Sequence, residues 1–292
     1  QSDGSHCHDF LWEVNAMRKL LRADFSRLFR DKVFIISCAV MFLAGAGLPL
    51  IHYFDNLKNG EGWTADSTCF AYAFPVPILL SLVTALFVGA GYSDGTMRNK
   101  LIVGHERHCI YLSNLIVCIT VGFSLCLSYL VPHTCLGLLL LGNFETGAAK
   151  LFVYIGLNFV LTAAFAALFV LISMLCNNKA YSTAGCILLV FALLFAGIRI
   201  TSALNEPEYY SGYSYTENGS TITEEAERNP NYLRGTKRQI YEFLNDFNPG
   251  GQVIKLANMN SEKPAMPVLY DGIILLAATG FGLAFFRRND LK

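Results

Sequence analysis

Six apolar runs divide this chain and constrain it more than any other feature. They are Val33–Phe54, Ala71–Tyr92, Cys109–Val131, Leu151–Leu175, Tyr181–Ala203 and Pro267–Phe286. Each is long enough to cross a bilayer, which takes roughly 20 apolar residues. A segment in lipid must satisfy its own backbone polar groups, and a helix does so internally. The expected fold is an all-α membrane protein with six transmembrane helices. Of the 292 residues, 53% are hydrophobic and 15% charged, whereas soluble domains carry about 25% charged residues. Mean hydropathy is +0.41. Net charge is zero, so no electrostatic case for a nucleic-acid partner arises. The nine cysteines fall mostly inside the apolar runs, as small hydrophobes do, and form no disulfide framework.

The polar segments order these spans. Residues 1–16 read as a tag or N-terminal extension; His6-Cys7-His8 has too few partners for a metal site, and no secretory signal pattern is present. From Met17 to Lys32, Leu20, Leu21, Phe25, Leu28 and Phe29 recur at helical spacing among Arg18, Lys19, Arg22, Arg27, Arg30 and Lys32. This predicts a basic amphipathic helix in the headgroup layer, or an extension of the first span. Pro132 is expected to break the third span, leaving His133 to Leu141 as a re-entrant or interfacial piece. Arg199, near the end of the fifth span, is read as snorkelling to headgroups. Residues 204–265 form a small outer helical domain. It opens on Tyr209, Tyr210, Tyr213 and Tyr215, contains the sequon Asn218-Gly219-Ser220, and continues as an amphipathic helix over Arg234 to Phe247 that Asn248-Pro249-Gly250-Gly251 ends. The short loops rich in Lys and Arg place both termini in the cytoplasm. The organisation is 1–16, then 17–203 with the interface helix and spans one to five, 204–265 outside, and 266–292 with span six and a cytoplasmic tail.

The most informative loop runs from Gly91 to Arg107, between the second and third spans. Met97, Leu101 and Val103 put apolar side chains on a short helix that Ser93 or Asp94 can cap and Gly104 can end. The run Gly-Thr-Met-Arg-Asn-Lys-Leu-Ile-Val-Gly-His-Glu-Arg over 95–107, with Ile110-Tyr111-Leu112-Ser113-Asn114 after it, resembles the first cytoplasmic loop of ABC-2 type transporter permeases. The terminal Phe285-Phe286-Arg287-Arg288-Asn289-Asp290-Leu291-Lys292 is also similar to the end of that family. The resemblance implies that this loop is the coupling helix docking into a separate ATPase subunit. Asp94, Thr96, Arg98, Asn99, Leu101 and Arg107 match the family loop and are the implied contacts. One position departs: Gly91 stands where the family often carries a glutamate.

No phosphate-binding loop of the Gly-x-x-x-x-Gly-Lys-Ser/Thr type occurs. Pro249-Gly250-Gly251-Gln252 is similar to the nucleotide-sandwiching signature of ABC ATPases but lacks its serine. The resemblance therefore implies a permease, not an enzyme, with ATP and Mg on the partner ATPase and no cofactor on this chain. It implies a second permease copy or paralogue and an ATP-driven exporter in a bacterial cell membrane. Its substrate would be amphipathic or hydrophobic: a peptide, a lipid-like or a drug-like molecule. The spans are read as lacking the buried carboxylates of a proton- or sodium-driven carrier. The alternative is a non-transporting membrane sensor or scaffold whose outer domain binds a ligand.

Overall fold

The computed structural model describes residues 17–176, 178–210, 214–217, 220–223, 226–260 and 265–288. His6-Cys7-His8, Tyr213, the Asn218-Gly219 pair and the last four residues lie outside them. In chain order the elements are α1 (residues 17–28), α2 (Lys32–Asn59), a short 3-10 turn (Ala71–Ala73), α3 (Pro75–Ser93), α4 (Thr96–Ile102), α5 (Arg107–Leu140), α6 (Ala148–Leu175) and α7 (Lys179–Leu204). Then come β1 (Ser214–Glu217), β2 (Ser220–Thr223), α8 (Gly235–Phe247), α9 (Pro249–Ala257) and α10 (Ala265–Arg288). Six of the helices, α2, α3, α5, α6, α7 and α10, are long and apolar enough to cross a membrane. The chain is a multi-pass membrane protein.

The six spans sort into two layers. About 61, 56 and 61% of the most apolar window is buried in the spans of α3, α5 and α6, against 28, 17 and 17% for α2, α7 and α10. The inner three enclose the core, where Phe87, Tyr111, Tyr129, Phe165 and Phe169 are fully buried. The outer three turn Phe42, Leu43, Phe191, Phe195, Leu276 and Phe281 outward. A soluble monomer rarely exposes so much contiguous apolar surface, and a membrane helix does so by default.

The third span departs from expectation. α5 runs unbroken through Pro132 for 34 residues, roughly 50 Å at 1.5 Å per residue. Proline removes one helical hydrogen bond, a loss that membrane helices tolerate where neighbours hold the turn. Here Tyr129 stacks on His133 and donates its hydroxyl to Thr68 O at 2.7 Å. The Thr68 hydroxyl lies 3.2 Å from His133 Nε2. Residues 133–140 are thus the last turns of one long helix, not a re-entrant piece.

The segment after α7 departs twice. It contains an antiparallel hairpin pairing Ser214 with Thr223 and Glu217 with Ser220, so it is not purely helical. Tyr, Thr and Ile on either side of an Asn-Gly pair are a hairpin signal. Second, Pro249-Gly250-Gly251-Gln252 does not merely end α8. It opens α9, with Asn248 as N-cap accepting from Gly250 N at 3.1 Å and Pro249 in the first turn. The glycines are there for close approach. A Cβ on Gly250 would fall on the Leu193 carbonyl of α7, where Asn248 Nδ2 already donates at 3.0 Å.

Candidate functional site

The α3–α4–α5 connection is built on a left-handed backbone turn that favours glycine. α3 ends with Asp94 N bonded to Ala90 O at 2.8 Å and Gly95 N to Tyr92 O at 3.2 Å. Gly95, at φ 69°, then starts α4 at once. No side chain caps α4, so Ser93 and Asp94 do not take the capping role expected of them. The turn is fastened instead by the Thr96 hydroxyl, which donates to Gly91 O at 3.0 Å, and by Met97, which is 2% exposed. A Cβ on Gly91 would sit 3.1 Å from Met97 Cε and 3.3 Å from Thr96 Oγ1. The return of α4 over α3 is tight there, and a larger residue at 91 would require Met97 and Thr96 to give by a few tenths of an ångström. Gly104, at φ 96°, closes α4.

α4 is locked to α1 by a buried ion pair. Lys100 Nζ donates to Asp24 Oδ1 at 2.7 Å and to Oδ2 at 2.9 Å, and Ser113 of α5 donates to Oδ2 at 2.7 Å. Both ionic side chains are well shielded, with 14% of Lys100 and 3% of Asp24 exposed. One turn on, the Arg27 guanidinium lies 4.2 Å over the Phe87 ring and donates to Phe87 O of α3. One helix is thereby tied to α3, α4 and α5 together. α1 is not a continuation of α2: a turn separates them, and Asp31 caps α2 by accepting from Val33 N at 2.7 Å and Phe34 N at 3.2 Å. Leu20 and Leu28 of the expected apolar stripe are buried, Leu21 and Phe25 pack on the core, and Phe29 points outward at 64% exposure.

The six residues singled out by sequence fall in three places. Asp94, Arg98 and Asn99 are exposed. Thr96 and Leu101 face the bundle, Thr96 through its bond to Gly91 and Leu101 against the core. Arg107 opens α5, and its Nη1 donates to Phe286 O at the end of α10 at 2.9 Å. Beside it, Glu106 pairs with His108 at 3.0 Å, on the wall of a cavity of about 560 Å³ that Leu283 and Arg287 share. Ile102, which the sequence does not single out, and Val103, one of the three apolar positions read there, complete the outward face of α4 at 73 and 76% exposure. A groove of about 270 Å³ runs between α1 and α4, lined by Lys19, Ala23, Asn99, Lys100, Val103 and His105.

The spans do hold a buried carboxyl, contrary to expectation. Asp271 in α10 is 1% exposed, and one of its oxygens has no partner among the described residues. Its other neighbour is the side chain of Gln252 in α9, also buried, whose amide donates to Asp246 O at 2.9 Å. Asp271 lies close to the start of α10, among the apolar residues Val268, Leu269, Ile273 and Ile274, and the length of that run masks it.

The Asp24–Lys100 pair was the other omission. Its signal is an acid at 24, spaced four residues from both Leu20 and Leu28, hence on the apolar face of an otherwise basic helix. An unpaired carboxylate there would be costly, so a cation had to meet it. No family model and no curated protein matches this chain.

Proposed function

We propose that this chain is the membrane-spanning permease subunit of an ABC-2 type ATP-driven exporter, with α4 as the coupling helix. The observation that carries the proposal is the two-sidedness of α4. Its inner side is fixed by Met97, the Thr96–Gly91 bond and the Lys100–Asp24 pair. Its outer side presents Arg98, Asn99, Ile102 and Val103, which no described residue covers. In this reading the α4 end is cytoplasmic, and an ATPase subunit carrying ATP and Mg seats on it. Movement of the ATPase against α4 passes through Lys100, Asp24 and Ser113 into α1 and α5, and through Thr96 into α3. The outcome is a rigid-body alternating-access step. A second permease copy or paralogue completes the path, whose apolar walls suit an amphipathic or hydrophobic substrate.

The test uses exposed residues. Arg98→Glu combined with Ile102→Glu leaves the buried clamp untouched. Wild-type protein extracted in mild detergent from its native membrane is expected to elute with an ATP-hydrolysing chain, and the double variant to elute at equal yield without it. A wild type that carries no ATPase overturns the proposal. That result would favour the sensor reading, in which the segment after α7 binds a ligand and no transport occurs.

A further inference from the structure

At the other end of the bundle, where α7 meets the segment 226–241, lies a cavity of about 430 Å³. Its lining carries Arg199, Lys237, Glu206, Tyr232, Tyr241 and Asn231. Three of the neighbouring cations are spoken for. Arg234 pairs with Glu208 at 2.7 Å, Arg238 with Glu242 at 3.0 Å, and Lys255 with Asp246. Among the described residues, Arg199 and Lys237 meet no carboxylate. Glu206, the one acid of the lining, accepts from Asn229 Nδ2 at 2.8 Å. Two cations against one acid leave the cavity with an excess of one positive charge. Arg199 stands on α7 just beyond Phe195 and Ile198, which are 67 and 47% exposed. The site therefore opens where the outward apolar surface of α7 gives way to polar ground.

We propose that this cavity binds the headgroup phosphate of an anionic phospholipid that bears free hydroxyls, with its acyl chains along Phe195 and Ile198. Arg199 supplies the planar fork that matches a phosphate, and Lys237 a second point charge. Tyr232, Tyr241 and Asn231 supply donors, and Glu206 an acceptor for a headgroup hydroxyl. The apolar approach along α7 distinguishes a lipid from a soluble phosphate, which would gain nothing from it. The inference concerns a different end of the molecule from α4 and holds whether or not the chain transports anything.

The experiment measures thermal unfolding of the purified full chain in a zwitterionic detergent. It is titrated with dioctanoyl phosphatidylglycerol, dioctanoyl phosphatidylcholine or inorganic phosphate. Phosphatidylglycerol is expected to raise the unfolding temperature saturably, and the other two to leave it near its starting value. In Arg199→Gln/Lys237→Gln the half-saturating concentration should rise roughly tenfold or more, as loss of charged hydrogen bonds implies. Both side chains are exposed, so the unliganded unfolding temperature should not move. The charge-matched control Lys58→Gln/Lys150→Gln, also exposed, should bind as the parent does. An equal response to phosphatidylcholine, or an equal loss in the control, overturns the site. An equal response to inorganic phosphate overturns the lipid and leaves a soluble anion as its occupant.

Discussion

The two ends of the bundle use basic residues in opposite ways. At the α4 end, Lys100 is shielded, meets both oxygens of Asp24 and shares that carboxylate with Ser113. At the α8 end, Arg199 and Lys237 stand exposed around an open cavity and, among the described residues, pair with no carboxylate. The contrast separates structural from recognitive charge. A buried pair fixes three helices relative to one another because separating it would strand a charge away from water. An exposed pair of cations does little for the fold and remains available to a ligand. If the α4 end transmits movement, it needs the first kind. A surface that must bind and release needs the second.

The largest effect should follow from breaking the clamp on one side only. Asp24→Leu leaves the Lys100 ammonium buried without its partner and should destabilise by about 3 kcal/mol, as removal of one member of a buried pair does. Asp24→Leu with Lys100→Met should recover most of that loss, because the apolar pair replaces the charges at similar volume. Detergent thermal unfolding of the single and double variants checks both. If the double variant is no better than the single, Ser113 and the carboxylate carry the joint and the ion pair does not. A smaller effect is expected at the α8 end, where the helices are held by backbone contact. Gly250→Ala pushes a methyl onto the Leu193 carbonyl and should cost about 1–3 kcal/mol, as overpacking does. Limited proteolysis should then cut in the α8–α9 region before it cuts α3 or α5. Equal resistance in wild type and variant would show that α7 and α9 have room to shift.

A third substitution tests whether Asp271 behaves as a neutral-like partner or as a charge. Asp271→Asn preserves its shape and a hydrogen bond to Gln252 while leaving a side chain that cannot ionise. Its stability should stay within about 1 kcal/mol of the parent, since an amide replaces a buried carboxyl whose one oxygen is unpartnered. A loss several times larger, read by the same thermal unfolding, would mean that the charge is required there and that a cation partners it.

What could be read without coordinates divides along the same physical lines. Long apolar runs have one stable form in lipid, so all six spans were legible, and so was α8 from its helical periodicity. Contacts between distant segments were not. Lys100 in the loop stretch looked like any positive-inside residue, and nothing local says that it reaches Asp24, 76 positions away. Pro132 looked like a stop because local rules see only the missing N–H; the packing of Tyr129, Thr68 and His133 that supports it is tertiary. Gly250 looks like part of a turn because its reason for being small is Leu193 of α7, more than fifty residues earlier, and Gly251 because its reason is the packing of Asn245 in α8. The hairpin was missed for a different reason. Asn218-Gly219-Ser220 matches a sequon, but flanking Tyr, Thr and Ile make Asn218-Gly219 a turn signal first.

The smallest effect separates the open cavity at the α8 end from the packed layer beneath it. Cys69 lies in that layer, buried beside Asp66, whose carboxylate accepts from Glu145 N at 2.6 Å. Burial first, and the Asp66 charge second, push the Cys69 thiol up to about 12. The thiolate is the reactive form, so at pH 7 almost none of Cys69 is available, and moving to pH 9 still leaves it protonated. Cys176, at the end of α6 on the α4 side, is partly exposed. A maleimide reagent should therefore modify the partly exposed Cys176 and leave Cys69 unmodified at both pH 7 and pH 9, as peptide mapping by mass spectrometry would show. Modification of Cys69 at a rate comparable to Cys176 would mean that the α8 end opens as far as residues 64–70. The boundary between a loose binding surface and a rigid bundle would then lie deeper than the cavity of Arg199 and Lys237.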